Sequence, residues 1–227
     1  VGDLVLIKVS GAAIEKMGGV ASGMSGSPIY FQNKLAGAIG YGFSLTDHRL
    51  ALMTPIGDML PLLDHVSPGI PQGISAQGQF LDDLNFVPIK TPLSIGGFSP
   101  RAQQHLVSQL DQLGFHLEVL PTGGSVPGTG ELEPGSAFAV QLMQGDLNTS
   151  AIGTVTYQKD GRILGFGHPF FNRGKVQFIL SGAVIHRTIP SIGSPFKLGS
   201  PTLPLGTICQ DRGAGVAGQM GARPPLV

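Results

Sequence analysis

Seven residues near the start of the chain, Ser22-Gly23-Met24-Ser25-Gly26-Ser27-Pro28, have the composition of a turn that presents a hydroxyl. An acyl-transfer nucleophile is held outward on a sharp turn, with backbone N–H groups beside it to take up the charge of a tetrahedral oxyanion. Gly23 and Gly26 carry no Cβ, so they reach φ > 0 and let a substrate carbonyl approach the main chain. The amides of Gly23 and Ser25 then converge as an oxyanion hole, and Ser25 Oγ points at the same carbonyl. Ser27 is a rival nucleophile, but Pro28 stiffens the backbone directly after it. A plain Gly/Ser turn between strands has the same composition, so the block is a hypothesis that needs a base.

His168 is the candidate base. Ala151 to Tyr157 and Ile163 to Gly167 read as the two arms of a hairpin with Asp160-Gly161 as its turn signal, and the second arm delivers His168-Pro169 at its end. His48, His65, His105, His116 and His186 read as surface or hydrogen-bonded structural residues. None shows the i, i+4 spacing or the cysteine partners of a zinc site, so neither a metal nor another cofactor is expected.

The elements that must position these groups are mostly strands. Leu4 to Val9 is β-rich, Ala12 to Met17 makes a short helical turn before Gly18-Gly19, and Ile29 to Phe43 reads as a hairpin around Gln32-Asn33-Lys34. Leu50 to Met53 is a further strand, and Pro55 opens a short helix over Ile56 to Leu63. From Asp64 to about Gly97 the pattern loosens into connecting chain with short extended pieces. Ser99-Pro100 caps a helix whose apolar face is Leu106, Val107, Leu110 and Leu113, with Gly114 as its stop. His116 to Leu120, Phe138 to Met143, Val176 to His186 and Leu205 to Cys209 read as strands. Pro121 to Gly130 and Gly213 to Gly221 read as loops.

Charge and composition narrow the function classes. Charged residues make up only 12% of the 227, and 14 basic residues balance 14 acidic ones, which favours neither nucleic acid nor an anionic membrane surface as partner. The 35 glycines and 18 prolines punctuate apolar runs, as many short strands with tight turns require. No apolar run reaches the ~18 residues of a membrane-spanning segment. Cys209 is the only cysteine, so no internal disulfide forms.

Two stretches together resemble a trypsin-fold serine peptidase. Gly153-Thr154-Val155 through Gly161 to Gly167-His168 resembles the hairpin that presents the histidine in HtrA-type proteases. Gly23 to Pro28, the hairpin through Gly40, and Ala51 to Ile56 resemble the nucleophile loop, the substrate-pairing strand and the closing segment of that fold. A closer similarity is to the sporulation factor SpoIVB peptidase family, through Gly18-Gly19, Gly23-Met24-Ser25-Gly26-Ser27-Pro28-Ile29, Lys34-Leu35, Gly37-Ala38 and the Gly-His block. The resemblance covers roughly residues 1–63 and 151–221.

It departs from the family in two ways. The histidine block follows the serine block instead of preceding it, and Ser10 stands where the family has its aspartate. Triad order varies among unrelated folds because geometry makes the site, so either the domain is circularly permuted or His168 serves a different serine. Asp211, after a strand in the histidine half, is the candidate to orient His168 Nδ1. An ion pair with Arg212 or a simple turn role is its alternative, and a Ser/His dyad or a triad completed by Ser10 stays open.

The resemblance implies a mainly β protein, a trypsin-like double β-barrel that is circularly permuted, with a short inserted helical region. Residues 1–66 form the serine half, 67–150 a connecting region with a helix over 99–113, and 151–227 the histidine half. It implies a serine endopeptidase acting outside the cytoplasm on protein or peptide substrates, itself among them. Ile39, Gly40 and Tyr41 would pair with the substrate backbone as an added strand. A non-catalytic homologue used as a binding scaffold is the main alternative, and a hydrolase of smaller esters a third.

Overall fold

The computed structural model describes residues 2–43, 46–66, 86–89, 91–112, 119–121, 125–128, 131–191, 193, 195–221 and 223–224. Its strands form two sheets. The first is built from β1 (Val5–Lys8), β2 (Pro28–Phe31), β3 (Lys34–Phe43) and β4 (Leu50–Pro55) in the antiparallel order β1-β4-β3-β2, with β5 (Phe86–Pro88) added on β3. Gln32 and Asn33, both at positive φ, make the two-residue turn between β2 and β3. The expected helical turn is α1 (Ala12–Met17), which ends where Gly18 turns left-handed and its N–H returns to the Ile14 and Glu15 carbonyls. After β4 comes α2 (Ile56–Met59), which continues as a 3₁₀ turn over Leu60–His65.

The second sheet holds β6 (Leu93–Gly96), β7 (Val119–Pro121), β8 (Ala137–Met143), β9 (Asn148–Lys159), β10 (Arg162–Gly165), β11 (Gly174–Ile189), β12 (Phe196–Arg212) and β13 (Gly215–Met220). Its order is β10-β13-β12-β11-β8-β9-β6-β7, and β10 also pairs with β9. That extra pairing closes β8 to β13 into a six-stranded barrel, beside which the first sheet stands as a half-barrel. Phe138, Val140, Val155, Ile163, Leu180 and Ile208 are fully buried in one cluster of this second sheet. The helix α3 (Pro100–Gln112) begins as the sequence predicts, with Ser99 Oγ accepting the Ala102 amide, and packs Leu106 and Leu110 on that cluster. Leu113, the Gly114 stop and the first half of the strand expected over His116 to Leu120 lie outside the described residues.

Two expectations change. Residues 67–150 are more than a connector, because β6, β7 and β8 all come from them and β8 is a wall of the closed barrel. Gly213 to Gly221 is not a loop, since β13 runs through it between β10 and β12. Its glycines answer to close strand packing. A Cβ on Gly218 would lie 2.7 Å from the Thr207 carbonyl oxygen.

A second cluster joins the two sheets. Ala38, Met59, Leu62 and Val66 from the serine half pack on Leu164, Cys209 and Ala217 of the barrel wall. This buried seam lets a turn on one sheet meet a strand end on the other.

Candidate active site

The serine turn is tied down on three sides. Two successive tight turns, Met24 N–H to the Ala21 carbonyl and Ser27 N–H to the Met24 carbonyl at 2.9 Å each, wind the chain through Ser25. Gly26 N–H donates to the Ile39 carbonyl at 2.7 Å, which fixes the turn to β3. From the barrel, β9 supplies Thr154 N–H to the Ser25 carbonyl at 2.9 Å, Thr154 Oγ1 to the Gly23 carbonyl at 3.0 Å and Thr156 Oγ1 to the Gly26 carbonyl at 2.7 Å. Start of β12 completes the clamp, with Ser22 N–H on the Pro195 carbonyl and Lys197 N–H on the Ser22 carbonyl.

Gly23 and Gly26 sit at φ 90° and 91°, the conformation expected of them. Among the described residues, the amides of Gly23 and Ser25 have no hydrogen-bond partner, which leaves both donors available to an oxyanion. The hydroxyl itself is not on the surface. Ser25 is 0% exposed, where the sequence predicts an outward-facing turn.

His168 is placed by a strained corner. After β10 the chain passes through Phe166 and Gly167 at φ 70° and 66°, and Phe166 is a buried non-glycine in that region. Its ring stacks on His168 at 5.6 Å. The corner packs straight onto the serine half: Thr54 Oγ1 donates to the Gly167 carbonyl at 2.5 Å, a Cβ on Gly26 would lie 2.5 Å from Phe166 N, and the Tyr41 and His168 rings lie edge to face at 6.2 Å. The two halves of the candidate site therefore meet within one chain.

His168 Nδ1 donates to the Pro169 carbonyl at 2.7 Å, which leaves Nε2 as the acceptor of a neutral ring. Burial pushes the imidazole pKa down from 6.5 to about 4, against the smaller upward pull of that hydrogen bond. Among the described residues, neither Nε2 nor Ser25 Oγ, both buried, has a hydrogen-bond partner, each other included.

The lowered value predicts a pH dependence of stability. Below pH 6.5 the unfolded imidazole binds a proton, whereas the folded one binds it only near pH 4, so acid favours unfolding across that window. The native chain should lose about 3 kcal/mol relative to His168→Ala between those limits, and nothing relative to it above pH 7. Paired urea titrations measure the difference. Taking it against the variant also cancels Asp211, whose carboxyl is held up by burial and gains its proton more readily when folded, the opposite sign.

Asp211 does not touch the histidine ring. Its Oδ1 accepts the Phe170 amide at 2.8 Å, and its Oδ2 accepts those of Phe171 at 2.8 Å and Arg173 at 3.4 Å. It organises the turn that follows His168 and holds the Pro169 carbonyl in place, while Arg212 pairs with Gln210 instead. The expected carboxylate-to-Nδ1 contact is thus corrected to a carbonyl contact with a carboxylate behind it. Ser10 is exposed beyond the end of β1 and takes no part. Asp211→Asn turns an amide donor toward backbone donors. Calorimetry should find it less stable by about 2–3 kcal/mol.

Ile39, Gly40 and Tyr41 lie in β3, and β4 covers one of its edges. A bulge opposite β4 at Gly40 turns the adjacent carbonyls of Ile39 and Gly40 to the other edge. Ile39 takes the serine turn there. Gly40 takes the Ile89 amide at 3.0 Å, and Tyr41 to Phe43 pair with β5. Burial raises the Tyr41 phenol to about pKa 12, so it stays protonated.

Sequence reasoning missed Thr154, Thr156 and Lys197. The two threonines alternate on one face of β9, a pattern visible in Thr154-Val155-Thr156. Lys197 Nζ donates to Thr154 Oγ1 at 3.3 Å, and burial holds its pKa below the ordinary lysine value. Its signal was a lone cation among Gly, Ser and Pro.

Compared with protein-family models, curated proteins and solved structures, the chain finds no match.

Proposed function

We propose that the chain is a serine endopeptidase of SpoIVB type, a trypsin-like double barrel written in permuted order, acting outside the cytoplasm on protein substrates. The observation that carries this reading is the pair of buried, unpartnered atoms, Ser25 Oγ and His168 Nε2, on segments that pack against each other. Burying a polar atom unsatisfied costs about 1–3 kcal/mol, and a catalytic role is one of the explanations for keeping such a group.

In the mechanism, Ser25 Oγ attacks the peptide carbonyl as its proton passes to His168 Nε2. The Gly23 and Ser25 amides take the oxyanion, and its negative charge offsets the penalty that burial places on the imidazolium. His168 then protonates the leaving amine, and water repeats the sequence on the acyl-enzyme. His168 keeps its tautomer through the Pro169 carbonyl, which Asp211 steadies from behind. Lys197 and Thr154 act on the same site by pinning the Gly23 carbonyl, hence the direction of the amides beside it.

The full burial of Ser25 favours a second reading, a homologue that keeps the site's frame as a binding module. Fluorogenic protein and small-ester panels separate the three classes. Cleavage of protein that disappears with Ser25→Ala supports the endopeptidase, ester turnover alone supports a small-ester hydrolase, and silence on both supports the binding module.

A further inference from the structure

We propose that Phe86–Ile89 is a built-in substrate mimic: it occupies the peptide-binding edge and side-chain pocket of the serine site, and an extended peptide with a branched aliphatic residue at the Ile89 place displaces it. The proposal rests on the peptidase reading for its consequence, since it names the regulation and the side-chain preference of that site.

Three observations carry it. The edge of β3 expected to pair with substrate is filled by this segment, antiparallel, with Tyr41 opposite Pro88, Gly42 opposite Val87 and Phe43 opposite Phe86. In antiparallel pairing only alternate residues send their N–H groups to the partner strand. Ile89 N–H points to the Gly40 carbonyl, so Val87 N–H points the same way and residue 88 points outward. Proline at 88 therefore forfeits nothing, which is where a β-edge tolerates it.

The side chain is seated as well as the backbone. Ile89 is buried against Ile39 and Ala51, with Ile7, Val9, Val20 and Ile29 around them, so an apolar socket lies beside the serine turn that Ile39 anchors. Gly42 lies directly alongside, since a Cβ there would touch Ile89 Cγ1 at an ordinary contact distance of 3.8 Å. A socket walled by these aliphatic side chains favours a branched aliphatic over a charged side chain.

The third observation is that the structure with the segment docked has Ser25 0% and His168 2% exposed. Val87 is itself 43% exposed, so its side chain adds little to the hold that the ladder bonds and Ile89 give the segment. Such a strand exchanges with another peptide that offers the same bonds.

The test compares the full native chain with Val87→Pro, which removes a ladder donor at an exposed position, and Ile89→Ala, which part-empties the socket without altering the backbone. Two signals are read in each: polarisation of a fluorescein-labelled Phe-Val-Pro-Ile amide, and the rate at which a fluorophosphonate labels Ser25. Release of a segment that is docked nine-tenths of the time speeds labelling about tenfold. Both variants should bind the peptide where the native chain excludes it, label at least about tenfold faster, and be protected by added peptide.

A variant of native circular dichroism that neither binds the peptide nor labels faster overturns the proposal. So does a native chain that labels as fast as the variants, although the peptidase reading survives that result. Peptide binding by Val87→Pro carrying Ser25→Ala, with no labelling of any form, keeps the mimic and overturns the peptidase instead. Val87→Pro alone failing to fold passes the decision to Ile89→Ala.

Discussion

His168→Ala lowers peptide turnover by about 10³- to 10⁴-fold and leaves the fold intact, as comparison with the native chain or, for a larger signal, in the Val87→Pro background should show. The size follows from the role. Among the described residues, the other titratable groups tied to the turn and the corner are engaged elsewhere: Lys197 on Thr154 Oγ1, and Asp211 on the turn beyond His168. Removing the imidazole also removes a buried Nε2 that has no partner, so the variant gives back part of what it loses in packing. Loss of activity should therefore exceed loss of stability by a wide margin, and the melting temperature should fall by no more than about 10 °C. A structural histidine would show the reverse, a large drop in melting temperature with activity retained below it.

Gly26→Ala is expected to destabilise the chain by about 3–5 kcal/mol. Two effects add. Gly26 sits at φ 91°, where a side chain is strained, and its Cβ would run into the Thr154 carbonyl and Phe166 N, backbone atoms that cannot step aside. Gly135 separates the two. It has φ 92° with open space around the missing Cβ, so Gly135→Ala should lose only the strain part, about 1 kcal/mol. Calorimetry of the two variants side by side measures the contact between the serine turn and the histidine corner. Equal losses would mean that the two halves do not press on each other at that point.

Much of the local framework was legible. Gly18, the β2–β3 turn, Ser99 and Asp160-Gly161 fix element ends through their own backbone needs, and α1, α3 and the two hairpins sit where those residues put them. The serine turn and the delivery of His168 at a strand end belong to the same class of signal. What stayed hidden depends on partners far along the chain. The glycines of β13 look like a loop until β10 and β12 close on either side, and β8 looks like part of a connector until it pairs with β11.

The orientation of His168 shows a further limit. Composition offers carboxylates such as Asp211 as partners for Nδ1, whereas the Pro169 carbonyl is invisible because every residue has one. The docking of Phe86-Val87-Pro88-Ile89 was hidden for a related reason: it reads as a loose extended piece, and only its register on β3 places it on the edge that also holds the serine turn.

The central claim is that Ser25 is a nucleophile activated by His168. Incubation with a fluorophosphonate followed by peptide mass mapping tests it most directly, on the native chain and the Val87→Pro variant, each with and without His168→Ala. The account predicts a single phosphonyl adduct on Ser25, present with His168 and absent without it. No adduct on Ser25 in either folded form, or an adduct that persists undiminished in His168→Ala, would contradict it.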